Sequence, residues 1–165
     1  MANTHTIFNG THCAFWDVDS YNLVGIAESD LDNATFVTLG AIGLADEGGY
    51  EFEVSAGENP DLICGTPAMG YGIEDQIYDD PRYFYNKAGK PISVKRLVKG
   101  DCIEVSLPAF TTDPLASTFA KVGATGKLTG QANNTAGDAH FQILGTHSID
   151  VGGELVKTWI LMKLA

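Results

Sequence analysis

Apolar and polar positions alternate with a period close to two along most of the chain, so strands are predicted rather than helices. Residues 4–8 and 11–17 flank Asn9-Gly10. That pair suits a type I′ turn, in which both central residues need positive φ, and a hairpin is predicted there. Short strands are predicted at 23–27 and 61–64. Residues 35–42 form another, with Val37 and Leu39 on one face and Phe36 on the other. After a turn at 46–49, residues 50–55 alternate cleanly: Tyr50, Phe52 and Val54 inward, Glu51, Glu53 and Ser55 outward.

From 65 to 81 the pattern dissolves among Gly65, Pro67, Gly70, Gly72 and Pro81, which marks a long excursion or a lobe boundary. Order returns at residues 83–85, followed by a turn at 86–89 in which Gly89 supplies positive φ. Residues 91–97 and 102–107 read as strands around a Lys99-Gly100-Asp101 turn. In the second, Ile103, Val105 and Leu107 share a face opposite Cys102, Glu104 and Ser106. One helical turn is predicted near 114–119, with Asp113 as N-cap, Pro114 at the first helical position, and Leu115 and Phe119 on one side. Residues 123–137 read as loop or a thin edge strand.

Residues 139–149 and 155–164 form the closing pair, joined by 150–153. In the last segment Val156, Ile160, Met162 and Leu164 share one face while Trp159 and Leu161 load the other. Apolar groups on both faces predict a central strand, or one face covered by another subunit. Neither a 20–50-residue repeat nor an alternation of strand and helix is present. The predicted fold is therefore all-β: an antiparallel β-barrel or β-sandwich with one short helical turn.

Composition narrows the function classes. At 165 residues the chain makes one domain, 1–165, or two lobes of about 1–80 and 82–165. No apolar run approaches the ~18 residues of a membrane helix, and no membrane partner is expected. The start, Met1-Ala2-Asn3-Thr4-His5, has neither a charged n-region nor an apolar h-region, so no secretory signal is expected. The net charge of −11 argues against a nucleic-acid partner. Charge is also uneven. Residues 1–81 carry fifteen acids and no Lys or Arg, and 82–165 carry six acids and ten bases. Six of those bases lie within 82–99, interleaved with Tyr83, Phe84 and Tyr85. Such a division suits a subunit whose acidic face meets a basic neighbour, with Arg82, Lys95, Arg96 and Lys99 as candidate contacts on a partner. Trp16, Trp159 and Leu161 are the candidate apolar contacts.

Candidate chemistry is sparse. Cys13, Cys64 and Cys102 fit no zinc spacing, and an odd count speaks against a disulfide framework. They read as partly buried thiols, and a nucleophilic Cys102 would need a histidine brought to it from elsewhere. Asp17 and Asp19 begin a segment with oxygen ligands, but Tyr21 and Asn22 stand where a calcium loop wants Asp or Asn and then Gly. The predicted hairpin would make His5 and His12 diagonal neighbours within reach of one metal, with no third ligand in view. GxSxG, GxxxxGK[ST], HExxH and GxGxxG motifs are absent. Neither catalysis nor a cofactor or metal is expected.

One resemblance adds to this reading. Lys99-Gly100-Asp101-Cys102-Ile103-Glu104-Val105-Ser106 is followed by an Ala/Thr-rich stretch and Gly123-Ala124-Thr125-Gly126-Lys127-Leu128. Then come Phe141-Gln142-Ile143-Leu144 and a closing run from Trp159 to Leu164. Over about residues 90–164 this series resembles the small β-rich capsid decoration (cement) proteins of tailed bacteriophages. The resemblance implies a non-catalytic protein made in the host cytoplasm. It would sit on the outside of the capsid, bind the major capsid protein and neighbouring copies of itself, and stabilise the shell. The alternatives are another virion part, such as a tail-tube or head-completion protein, and a carbohydrate-binding β-sandwich using Trp16, Tyr21, Tyr71 or Tyr78.

Overall fold

A computed structural model describes residues 5–44, 50–69 and 79–164. The first sheet is antiparallel throughout. It takes β1 (Phe8–His12), β7 (Cys102–Ser106), β8 (Phe119–Val122), β9 (Leu128–Gln131), β10 (Phe141–Val151) and β11 (Glu154–Lys163) in the order β1-β7-β11-β10-β8-β9. The second takes β2 (Asn22–Ala27), β3 (Val37–Leu44), β4 (Tyr50–Ala56), β5 (Leu62–Cys64) and β6 (Pro91–Arg96) in the order β3-β4-β2-β6-β5. The all-β expectation is met. One pair departs from the antiparallel rule: β2 and β4 run parallel, because the chain after β2 crosses over to β3 before returning.

The second sheet curls until its ends meet. Phe36 bridges to Ile63, and Cys64 N–H donates to the Thr35 carbonyl at 2.9 Å. All three residues of β5 are buried, and alternation sends them into two cores. Leu62 and Cys64 pack with Val37, Val54, Ile92 and Val94 inside the curled sheet. Ile63 points the other way and joins Phe36, Ile103, Val105, Phe141, Trp159 and Leu161 under the first sheet. The same alternation parts Phe36 from Val37 and Leu39, as their spacing predicts. The segments 34–37 and 62–64 are thus a shared wall between the two cores.

This arrangement cuts across the charge division. β1 belongs to the first sheet although it lies in the acidic half of the chain, and β6, with Lys95 and Arg96, lies between β2 and β5. The boundary near residue 81 is not a boundary between sheets.

Two local readings need correction. Asn9-Gly10 makes no hairpin: both residues lie within β1, which pairs with β7 through a bulge between Asn9 and His12. Pairing with a strand more than 90 residues away wins over the local turn preference, and the flat Gly10 surface is used for packing instead. A Cβ on Gly10 would stand 2.5 Å from Phe15 Cζ. His5 and His12 are consequently not neighbours on a hairpin. The second correction is the helical turn near 114–119, which is a single hydrogen-bonded turn, Ser117 N–H to the Pro114 carbonyl at 2.7 Å. Leu115 has φ +45°, outside the right-handed helical region, and Asp113 accepts the Leu115 N–H as an Asx turn. Phe119 is drawn into β8. Short 3-10 turns occur instead at Ala14–Trp16, Asp19–Tyr21 and Leu107–Ala109. The turn predicted at 46–49 lies outside the described residues.

Candidate docking surface

The long hairpin of β10 and β11 extends beyond its neighbours in the sheet. β7 pairs with β11 only at 158–162 and β8 pairs with β10 only at 141–142, yet the two strands remain paired with each other out to Val151 and Glu154. Residues 146–157 therefore leave the sheet as a two-stranded arm around a Gly152-Gly153 turn. Leu155, at its tip, is 73% exposed, and Leu144, at the β10 bulge, is 51% exposed. Leu107, Leu155, Val156 and Trp159 line a cleft of about 270 Å³ along the arm.

A lone two-stranded ribbon is marginal in water, and polar side chains brace this one. On its outer face Glu104 accepts from the Thr158 hydroxyl and pairs with His147 Nδ1 at 2.9 Å. At the tip Arg82 Nη1 reaches Glu154 at 2.9 Å while its Nε holds both oxygens of Asp80. Arg82 is thus a staple between the 80–85 turn and the arm, not a free contact for a partner. Its guanidinium keeps the Asp80 carboxyl below the ordinary aspartate value of 3.8. A depressed carboxylate pKa means that the staple contributes at pH values above the ordinary one and is lost as pH falls through the lowered one. The bond that crosses to the arm is Arg82–Glu154, and the Glu154 carboxyl is also held below its ordinary value of 4.5, so relaxation measurements on the arm amides are expected to show increased motion on acidification well below about pH 4.5. In Arg82→Gln the same motion should already be present at neutral pH. An arm equally rigid in both proteins at both pH values would contradict the staple.

The remaining candidates divide three ways. Trp159 and Leu161 are 3% and 0% exposed, and both belong to the core beneath the first sheet. Their strand is central, as two apolar faces predict, but the face bearing them is filled from within. Lys157 covers the Trp159 ring at 4.7 Å. Neither is a surface contact. Lys95 and Arg96 alternate across β6 and face opposite ways, so no continuous basic stripe forms. Arg96 and Lys99 are exposed and line a cleft of about 380 Å³ with Tyr21, Asp61 and Lys163. The Lys163 ammonium is buried there against Asp61 at 2.8 Å.

Lys95 meets Trp16. Phe8, Asn9 and Gly10 of β1, Phe15 and Trp16 of the first 3-10 turn, Asn33, residues 65–68, Pro81 and Lys95 enclose a cleft of about 400 Å³. Trp16 is 68% exposed, and its indole N–H donates to the Gly10 carbonyl at 2.6 Å, which fixes the ring. Lys95 Nζ donates to Asn22 Oδ1 at 2.7 Å and lies 5.7 Å from the centre of the Phe15 ring.

His5 binds Asp32 at 2.6 Å and stacks on Tyr85, while His12 is exposed opposite Cys102. Asp17 and Asp19 are exposed before β2, Asp19 opening the second 3-10 turn. Among the described residues no group of three His, Cys, Asp or Glu side chains stands close enough to hold a metal ion. His12 is the histidine that β1 brings to Cys102, yet the thiol turns to the Gly100 carbonyl at 3.7 Å. Burial pushes the Cys13 and Cys64 thiols up to about 12, with Asp101 adding to the rise at Cys13, so neither is a ready nucleophile. Among the described residues no helix is long and apolar enough to cross a membrane. For a sugar platform, Trp16 and Tyr21 line separate clefts, and Tyr71 and Tyr78 lie outside the described residues.

The arm is what reading the sequence missed. Its signal is an apolar residue, Leu155, two positions after a Gly-Gly turn, where a hairpin tip has nothing of its own to pack against. Comparison with protein-family models, with curated proteins and with solved structures finds no match.

Proposed function

We propose that this chain is a non-enzymatic virion protein that binds the outside of an assembled phage capsid and stabilises it, contacting the major capsid protein and neighbouring copies of itself. The observation that carries the reading is the arm: a stapled ribbon that leaves the sheet and holds Leu155 in solvent, with exposed Leu144 at the bulge behind it. A leucine held in solvent on a braced projection is placed to be buried in an assembly, where its full burial stabilises by about 1.5–3 kcal/mol. The net charge of −11 and the resemblance over 90–164 support the same reading. Contact is repeated over many copies, so each one need only be modest.

The test is co-sedimentation of the purified protein with capsids stripped of surface proteins, across a salt series. The protein is expected to co-sediment, and added salt to weaken binding only in part, because buried apolar contacts resist screening. Leu155→Asp is expected to weaken binding at least about tenfold with the monomer still folded. Absence of co-sedimentation at any salt by folded protein overturns the proposal. Binding to tail tubes or to oligosaccharides instead would select one of the alternatives.

A further inference from the structure

We propose that the cleft between Trp16 and Lys95 is a binding site for a segment of a partner protein that presents a large apolar or aromatic side chain beside a carboxylate. The inference rests on the cleft alone and is independent of the arm. The volume, about 400 Å³, lies in the range of ligand pockets, and the walls carry three aromatic rings: Phe8, Phe15 and Trp16. A fixed, exposed tryptophan resembles the anchors that dominate protein interfaces, since little side-chain entropy is left to lose on binding.

Polar capacity on the walls decides the ligand class. The Asn33 amide is consumed internally: Nδ2 donates to the Thr66 carbonyl at 2.8 Å, and Oδ1 accepts from Thr66 N–H and Asn86 Nδ2. Thr66 Oγ1 accepts the Ser93 N–H, and the Trp16 N–H is taken by Gly10. A sugar, with hydroxyls to satisfy all round, finds few partners here. Asn9 Nδ2 turns to Glu104 at 3.4 Å, and the charged group on the walls is the Lys95 ammonium. It has three donors, and Asn22 takes one. Among the described residues no carboxylate pairs with it. Burial also draws its pKa below the ordinary lysine value, as happens to a cation short of a counter-charge. An incoming carboxylate supplies that charge at the edge of an aromatic surface, and a charge-assisted hydrogen bond in such a place is stronger than one in open water.

The experiment is a titration of the full-length, ¹⁵N-labelled protein with a capped peptide, Ser-Gly-Phe-Asp-Gly-Ser, followed through the two indole N–H resonances. The Trp16 resonance is expected to shift and saturate at about millimolar peptide, while that of buried Trp159 stays fixed. Replacing the peptide's Asp with Asn, or its Phe with Ala, is expected to weaken binding at least about threefold. Lys95→Met, which keeps the aliphatic stem, should bind the Asp and Asn peptides equally. Lys95→Arg should restore the preference and guards against a fold effect. No shift at Trp16, equal binding of the Asp and Asn peptides by the wild-type protein, or an undiminished preference in Lys95→Met each overturns the proposal. Failure of this titration leaves capsid binding through the arm intact, and Leu155→Asp leaves the titration unchanged.

Discussion

Replacing Gly126 with alanine is expected to lower the unfolding free energy by about 4 kcal/mol, a large fraction of the roughly 5–15 kcal/mol that holds a domain folded. Two costs add. Gly126 has φ +70°, a conformation that costs an L-residue about 1–2 kcal/mol. A Cβ there would also stand 2.2 Å from the Phe36 carbonyl oxygen and 2.8 Å from Thr35 Cγ2. Backbone cannot step aside cheaply, so the β8–β9 turn must lift away. Lifting it breaks the hydrogen bond from Phe36 N–H to the Gly126 carbonyl, 2.8 Å, and disturbs the wall between the two cores. Gly89 supplies the control. It too has φ +70°, but a Cβ would meet nothing within 4 Å, so Gly89→Ala is expected to cost only about 1 kcal/mol. Urea denaturation of both variants measures the difference. Equal losses would mean that backbone conformation, not the contact with Phe36, sets the requirement.

Asp101→Ala is expected to cost about 3 kcal/mol, the next largest effect. Asp101 is buried, and each carboxylate oxygen accepts one backbone N–H: Oδ1 from Ala14 at 2.9 Å and Oδ2 from Val98 at 2.8 Å. Its carbonyl accepts the Lys163 N–H at 2.9 Å, and that bond survives any substitution of the side chain. Hydrogen bonds to a charged group contribute about 1.5–3 kcal/mol each, and water entering beside Ala14 recovers part of the loss. Asp101→Asn is expected to be nearly as damaging, because one amide end would aim N–H at N–H. Ala14 begins the 3-10 turn that carries Phe15 and Trp16. The Trp16 indole resonance should therefore broaden in Asp101→Ala even where the protein remains folded. Denaturation midpoints of Ala and Asn variants, with the indole spectrum alongside, check both points. Wild-type stability in either variant would show that the turn is held by other groups.

Much of the fold was written in the local pattern. Alternation alone places β2, β4, β6, β7 and the closing β10–β11 pair, because a strand half in water must alternate and this signal needs no partner to be read. Val37 and Phe36 on opposite faces, and the central place of β11, follow from the same rule. Where the expectation failed, a non-local contact had overridden a local preference. Asn9-Gly10 favours a turn by itself, but pairing of β1 with β7 stabilises an extended chain. Asp113-Pro114 favours a helix start, but β8 claims Phe119 and Leu115 is left at positive φ.

The candidate site divides along the same line. Residue type and charge, which sequence alone determines, single out Trp16, Lys95 and the basic run, and they exclude the familiar catalytic motifs. Which of those groups share a surface is a property of strand register. Alternation across β6 parts Lys95 from Arg96, although they are adjacent in the chain, and the antiparallel register of β6 with β2 sets Lys95 opposite Asn22 near the turn that carries Trp16. Arg82 reads as a free cation until the hairpin tip brings Glu154 to it, 72 residues on. Trp159 and Leu161 read as spare surface until Phe36 and Ile63, from the other sheet, fill the space beneath them. Period, propensity and charge act over a few residues and can be read along the chain. Burial and ion pairing depend on what arrives from far away, and here only the packing of two sheets against a shared wall decides them.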